Sequence, residues 1–304
     1  MNRQSRTDAP PPPAGGPACT RRRWLGAAGA LAAGAAVGAA RAQDGLRSEV
    51  GRESRFANLV PAEQVEAAAD QQYRALLRQA ASQKALAPAS HPQLVRLRAI
   101  ADRIVPFTPP WNPRARRWRW EVNLLGSREL NAFCMPGGKI AFYYGILQQL
   151  QLSDDEVATV MGHEVAHALR EHARERVGKT TATKLGAGLI SSLLGLGQVG
   201  NSLLDMGSQL LTLKFSREDE SEADVVGMDL AARAGYDPRA GVSLWRKMLA
   251  AGGAGSPEFL STHPSGQTRI QEIEGRMPRV LPLYEAAAKP EQRFEPPPKA
   301  VAAR

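Results

Sequence analysis

The sequence predicts an α+β fold, mainly α-helical, with a small β-sheet over one central helix. Three observations lead there. Ser153-Asp154-Asp155-Glu156 reads as a capping box and is followed by Val157, Val160, Met161, Val165, Ala168 and Leu169 at helical spacing. Ser216 to Asp224 opens a second helical stretch, continued by Val225, Val226, Met228, Leu230 and Ala231. From Trp118 to Leu124 the side chains instead alternate as Trp-Arg-Trp-Glu-Val-Asn-Leu, the pattern of a strand with one buried face. Pro136-Gly137-Gly138 then makes a turn before a second short strand, Lys139 to Tyr143. At 304 residues and 43% hydrophobic content the chain can fill one generous domain or two small ones.

Taken in chain order, the first element is an export signal over residues 1–42. Thr20-Arg21-Arg22-Arg23-Trp24-Leu25 precedes an Ala/Gly/Leu run to Ala40, and Ala40-Arg41-Ala42 has the small-x-small form of a cleavage site, placing the cut near Gln43. The arginine pair suggests the twin-arginine route, with a Sec signal as the other reading, and either delivers the chain to the periplasm. The alternative is an inner-membrane anchor over residues 24–40, an apolar run of about 17 residues, short and Gly-rich for a span. Six arginines and one aspartate in residues 1–42 carry five of the nine net positive charges, so the remainder is only mildly basic at about +4. It also retains a single cysteine, Cys134, which excludes an intrachain disulfide and reads as a small apolar neighbour of the site.

A helical segment over 43–89 contains an Ala/Gln/Leu-rich helix from Pro61 to Lys84, and a second helix runs from Pro92 to Val105. The Pro-rich stretch Thr108 to Pro113 links it to the strands. Arg114, Arg116, Arg117 and Arg119, interleaved with Trp111, Trp118 and Trp120, resemble a nucleic-acid patch. The alternation nevertheless puts the tryptophans inside and the arginines in solvent or against lipid headgroups, so no nucleic-acid partner is expected. The Ser153 helix is expected to continue to about Arg176. Gly178 to Leu213, rich in Leu, Gly and Ser, is expected to be packed helix or a lid over a cleft, with contact to a membrane surface as the alternative. A later helix starts at Asp237-Pro238 and carries Val242, Leu244, Trp245, Met248 and Leu249. The expected domain spans 90–287, and the Pro- and charge-rich residues 288–304 are expected as a disordered tail.

The chemistry lies in His163-Glu164-Val165-Ala166-His167. On a helix, His167 lies about 40° round the axis from His163 and one turn along, so both imidazoles reach one metal ion. Glu164, about 100° from His163, is too far round to ligate with them but can accept a proton beside the metal. About fifty residues on, Glu220 and Asp224 share one helix face at i, i+4, whereas Glu218 and Glu222 share another. One carboxylate of the first pair can ligate while the other accepts the free N–H of a ligand histidine, which suits zinc with three protein ligands and an open position. His172, five residues after His167, points about 140° away from it on one continuous helix and is expected in solvent. His91, in a turn before Pro92, has no motif around it.

HExxH, then Glu-x-x-x-Asp within Ser-Arg-x-x-Glu-x-x-Ala-Asp, preceded by Asn131-Ala132-Phe133-Cys134-Met135-Pro136-Gly137-Gly138-Lys139-Ile140, resembles the HtpX-like and CAAX-prenyl-protease family of gluzincin zinc metallopeptidases. The resemblance is closest to its soluble periplasmic members and covers roughly residues 90–275. It implies a gluzincin-type fold, with His163, His167 and Glu220 as ligands of one Zn²⁺, Glu164 as general base and acid, and Asp224 as partner of a ligand histidine. It further implies Asn131 and Ala132 as contacts to the substrate backbone. His263, in Ser261-Thr262-His263-Pro264-Ser265 with Arg269 following, is expected either to donate to the oxyanion or to act as an inhibitory fourth ligand.

Three classes of function fit these residues. The first is a zinc endopeptidase of unfolded or misassembled envelope proteins. The second is a chaperone-like binder of the same clients with a normally closed zinc site. The third is a metalloprotein in which zinc only stabilises the fold. Unfolded proteins are the expected partners, and no internal repeat points to a large assembly.

Overall fold

A computed structural model of the protein describes residues 45–51, 54–186, 210, 213–251, 258–263 and 267–299. The expected export signal and most of the Leu/Gly-rich stretch after Gly186 lie outside the described residues. The described chain forms helices α1 (Ala62–Ser82) and α2 (Pro92–Ile104), strands β1 (Glu121–Leu125), β2 (Ala132–Met135) and β3 (Lys139–Tyr143), and then helices α3 (Tyr144–Leu150), α4 (Asp154–Leu169), α5 (His172–Gly186), α6 (Arg217–Arg233), α7 (Ala240–Ala251), α8 (Glu258–Thr262) and α9 (Gln267–Ala286). The mainly helical α+β class is as expected.

The sheet has the order β1-β3-β2, β1 parallel to β3 and β2 antiparallel to it. Period-2 geometry divides its side chains between two cores. Val122, Leu124, Ala132, Cys134, Ile140 and Phe142 face the main core with α2 and α4, whereas Leu125, Met135 and Ala141 face α1 with Ala69 and Tyr73. Both faces are therefore covered, and β1 is buried from Val122 onward rather than on alternate residues. The strand starts at Glu121, three residues later than expected. Trp118 and Trp120 precede it, half-buried, and Trp118 Nε1 donates to Glu66 on α1 at 2.9 Å. Arg114 is likewise tied to α1, to Glu63 at 2.6 Å and to Glu66 at 2.9 Å, and is no solvated arginine.

α4 is the central element. Both halves of its capping box form, Ser153 Oγ accepting from Glu156 N–H at 3.3 Å and Glu156 Oε2 accepting from Ser153 N–H at 2.8 Å. Every residue of α4 except Asp155 is buried, because β2, α2, α6 and α7 surround it. Its first turn holds a buried ion pair, Arg96 Nε to Asp154 Oδ1 at 2.7 Å. The helix stops at Leu169 and does not reach Arg176. Asn112 Nδ2 donates to the Leu169 carbonyl at 3.0 Å, and Glu171 enters the left-handed region at φ 56°, turning the chain into α5.

α6 opens on a second capping box, Ser216 with Asp219, and crosses α4 at a pair of glycines. A Cβ added at Gly162 would lie 2.7 Å from the Gly227 carbonyl oxygen, and one at Gly227 would lie 2.7 Å from the His163 nitrogen. The two backbones touch, with no side chain between them. α7 begins at Ala240, three residues after Asp237, whose carboxylate accepts from Arg239 N–H at 2.9 Å in the turn before it. His91 caps α2, its Nδ1 accepting from Gln93 N–H at 3.2 Å.

The Pro-rich residues after Ala288 were expected as a disordered tail, but those described lie across the start of α4. Phe294 N–H donates to Asp154 at 2.8 Å, Arg293 pairs with Asp155 at 2.9 Å, and Gln151 Nε2 donates to the Pro297 carbonyl at 2.8 Å. Backbone groups that would otherwise face water find partners there.

Gly227→Ala is expected to lower the unfolding free energy by about 1–3 kcal/mol, because a methyl at the crossing must move main chain. Gly275→Ala on α9, where an added Cβ meets nothing within 4 Å, is expected to be neutral or to stabilise by up to about 1 kcal/mol. Urea titration of the two variants checks the contrast.

Candidate metal centre

The crossing sets the site. Gly227, Asp224 and Glu220 recur on one face of α6, so contact at Gly227 brings both carboxylates over the imidazoles of α4. His163 Nε2 and His167 Nε2 lie 3.1 Å apart, and each stands 3.5 Å from a different oxygen of Glu220. His263, just past α8, completes the group: one ligand atom from each of His163, His167, Glu220 and His263 falls within 4.8 Å of the others, and all four residues are buried. α8 is hung from both neighbours, Phe259 N–H donating to the Leu130 carbonyl at 3.2 Å and Phe215 N–H to the Thr262 carbonyl at 3.3 Å. The rings are held by stacking, His167 on Phe215 with centroids 3.9 Å apart and His263 on Phe259 at 4.4 Å.

These residues fit a cation. Glu220 Oε1, Glu164 Oε1 and His263 Nε2 are buried without a hydrogen-bond partner. His163 Nδ1 meets Asp224 Oδ1 at 3.2 Å, and a carboxylate there can only accept, so Nδ1 carries a proton and Nε2 is the nitrogen left for a metal ion, which would displace any proton on it. Its neighbour at 3.1 Å is the Nε2 of His167, and two imidazole nitrogens so close, beside unpaired carboxylate oxygens, are a donor set that a metal ion satisfies.

Arg269 holds the carboxylates. It reaches Asp224 at 2.5 and 2.8 Å and Glu220 Oε2 at 2.6 Å, with its guanidinium 3.8 Å over the Trp245 ring. Burial opposes the charge on Asp224, but Arg269 and His163 prevail and hold its pKa at about 2. Burial and Arg269 likewise oppose charge on His163, while hydrogen bonds to Asp224 and Glu220 outweigh them and raise its pKa to about 9. His163 and Arg269 favour the charge on Glu164 only at a distance, and its Oε1 has no hydrogen bond. Burial pushes its carboxyl up to about 8, matched to accepting a proton near neutrality. Burial also lowers His263 to about 3, so that ring is neutral, and it pushes the Cys134 thiol up, which leaves Cys134 a small apolar wall residue.

The cleft in front of these groups is lined by Asn131, Ala132, Phe133, Glu164, His167 and His263, among others. β2 is its edge strand. The Asn131 carbonyl accepts from Tyr143 N–H at 3.1 Å, so alternation turns Phe133 and Met135 toward β3 and the main-chain groups of Ala132 and Cys134 toward the open edge. Asn131 Oδ1 accepts from the Ala132 N–H at 2.9 Å, occupying the first donor of that edge. Of the eight residues singled out in the sequence, Asn131, Ala132, Glu164, His167 and His263 line this cleft, while His163, Glu220 and Asp224 lie in the buried cluster beside it. His172 was placed wrongly: it is buried, with its Nδ1 2.9 Å from His167 Nδ1, because the chain reverses at Glu171 where a continuous helix was assumed. Trp245, Phe215 and the role of Arg269 carried no recognisable spacing. A cue to His172 was nevertheless available, since four of only five histidines in the chain meet here.

A family model described as peptidase family M48 matches residues 107–277, more than half of the chain. The chain belongs to peptidase family M48. M48 metallopeptidases use zinc, and the His/Glu group above is able to bind it. Among known relatives, the mitochondrial metalloendopeptidase OMA1 of Schizosaccharomyces pombe is 35% identical over 196 residues, 64% of this chain and 56% of that protein. OMA1 of Saccharomyces cerevisiae is 31% identical over 225 residues, 70% of this chain and 64% of that protein. The beta-barrel assembly-enhancing protease of Escherichia coli is 27% identical over 170 residues, 53% of this chain and 35% of that protein. The chain spans less than two thirds of the length of each. Among the described residues no helix is long and apolar enough to cross a membrane.

Glu164→Gln is expected to stabilise the metal-free protein above neutral pH. The raised folded pKa of Glu164 means that wild type loses stability as pH rises from about 4.5 to about 8, the cost of ionising a buried, unpaired carboxyl, and the amide has no such loss. The two should unfold alike near pH 4 and differ by on the order of 4 kcal/mol above pH 8. Thermal melts with chelator across that range check the sign.

Proposed function

We propose that this M48 peptidase is a zinc-dependent endopeptidase that cleaves unfolded or misassembled cell-envelope proteins, close to the HtpX-like soluble members of its family and working in the periplasm. The observation that carries the reading is the convergence of His163, His167 and Glu220 beside the unpaired carboxyl of Glu164, at the open edge of β2. The names of the relatives, metalloendopeptidase and assembly-enhancing protease, support the reaction and the substrate class.

His163, His167 and Glu220 would hold the zinc, with Asp224 orienting His163. Zinc there supplies Lewis acidity, polarising a peptide carbonyl and acidifying a water molecule. An extended substrate adds to β2 through the main-chain groups of Ala132 and Cys134, with the Asn131 side chain giving up the Ala132 N–H to it. Main-chain recognition places little demand on sequence, as cleavage of unfolded clients requires. Glu164 takes the proton of the attacking water and returns it to the leaving amine, both within a buried pocket.

His263 is best read as a gate. Its Nδ1 lies 2.9 Å from Thr262 Oγ1 and 3.2 Å from the Phe259 carbonyl; with the Thr262 hydroxyl donating to that same carbonyl at 3.2 Å, both neighbours accept, so Nδ1 carries the proton and Nε2 presents a lone pair. A neutral imidazole in that tautomer ligates a metal and cannot donate to an oxyanion. It therefore acts as a fourth ligand that substrate displaces, which also gives the binder reading its resting state. Full-length protein loaded with zinc should cut unfolded casein. Glu164→Gln should retain zinc while cleavage falls by about 10²- to 10⁴-fold, and undiminished cleavage would remove Glu164 as the base. His263→Ala should raise the cleavage rate, whereas a tenfold fall would restore the donor role.

A further inference from the structure

The mechanism leaves one buried group beside the site unused. His172 is 2% exposed, its ring edge-on to His167 with centroids 5.0 Å apart and interplanar angle 72°. Its Nδ1 meets His167 Nδ1 at 2.9 Å, and its Nε2 lies 3.4 Å from Glu222 Oε2. Glu222 is held in turn by Arg170 Nε at 3.0 Å, and Arg170 Nη2 donates to the Gly51 carbonyl at 2.7 Å. His163 has Asp224 as its acceptor, and among the described residues no carboxylate stands in the corresponding place at His167.

We propose that His172 is the positioning residue of the second ligand histidine: it accepts the Nδ1–H of His167 and passes the orientation on to Glu222. The proton assignment follows from chemistry at each end. If His167 ligates through Nε2, its proton must sit on Nδ1 and be donated outward, so His172 Nδ1 must be the lone-pair nitrogen. A neutral His172 then carries its proton on Nε2, facing Glu222, which can only accept. The opposite direction would put a proton on His167 Nε2, where the metal belongs. Glu222, anchored by Arg170, is thus what selects the tautomer of His172, and His172 what selects that of His167. Two features build this relay: the reversal at Glu171, which brings a residue five positions on against His167, and the second carboxylate face of α6, which supplies Glu222 two residues after Glu220.

The inference rests on the reading of His163, His167 and Glu220 as zinc ligands, so the experiment separates the two. Zinc affinity is measured on full-length protein by competition with a chromophoric chelator, alongside the visible absorption of the Co²⁺-substituted protein and the melting of the chelated form as a fold control. His172→Phe keeps a ring but no acceptor and should weaken zinc binding by about 10- to 100-fold, with a shifted Co²⁺ spectrum. His172→Asn, whose amide oxygen can take the place of Nδ1, should restore most of the affinity. Glu222→Ala should weaken binding and Glu222→Gln, still an acceptor, should not. Wild-type affinity and spectrum in His172→Phe would overturn the inference, as would a loss in His172→Asn equal to that in His172→Phe, since filling space would then be the only role. A wild type that binds no zinc would defeat the ligand reading and this inference together.

Discussion

Direct contact of two helix backbones at Gly162 and Gly227 is the constraint from which the rest of the site follows. The HExxH motif alone supplies two imidazoles and a base on one helix; the third ligand must come from elsewhere, at a distance fixed to a fraction of a side chain. With hydrogen atoms alone between α4 and α6, the carboxylate of Glu220, two turns from the crossing, falls within 3.5 Å of both imidazole nitrogens. Any larger residue at the crossing would widen the gap for Glu220 and Asp224 together. Precision is thus built into rigid elements, where positional error is smallest.

Charge is arranged around that frame so that one carboxylate is left with the least support. Glu220 and Asp224 are neutralised by Arg269, itself lodged against Trp245, which keeps two buried acids ionised beside the histidines. No hydrogen bond reaches Glu164 Oε1, and burial outweighs the lowering influence of His163 and Arg269, so this carboxyl holds its proton more tightly. Identical functional groups a few ångströms apart thereby take different tasks, acid-base work for one and anchoring for the others.

Much of this was legible in the sequence, and the parts that were not share a physical origin. Capping boxes, helical periodicity and the spacing of His163, Glu164 and His167 are local properties, and the structure follows them closely. The i, i+4 relation of Glu220 and Asp224 was readable for the same reason. What failed was the assumption that α4 continues: nothing at Arg170-Glu171 announces a break, since Glu171 adopts a left-handed conformation usually left to glycine or asparagine, and the stop is enforced by Asn112, far away in the chain. The single missed turn moved His172 from solvent to the ring of His167. Strand burial was misjudged for a related reason, because alternation in Trp118 to Leu124 says nothing of α1, which covers the outer face of the sheet.

The anchoring of Asp154 bears on where the folding unit ends. Its carboxylate, buried in the first turn of α4, is satisfied from one side by Arg96 and from the other by the main chain at Phe294. Both partners lie beyond the stretch 107–277 that the family model matches. Excising that stretch would strand an acid in the interior and open the start of the helix that carries the histidines. The unit that keeps Asp154 satisfied is therefore longer than the stretch that the family model matches, and both flanks belong to it.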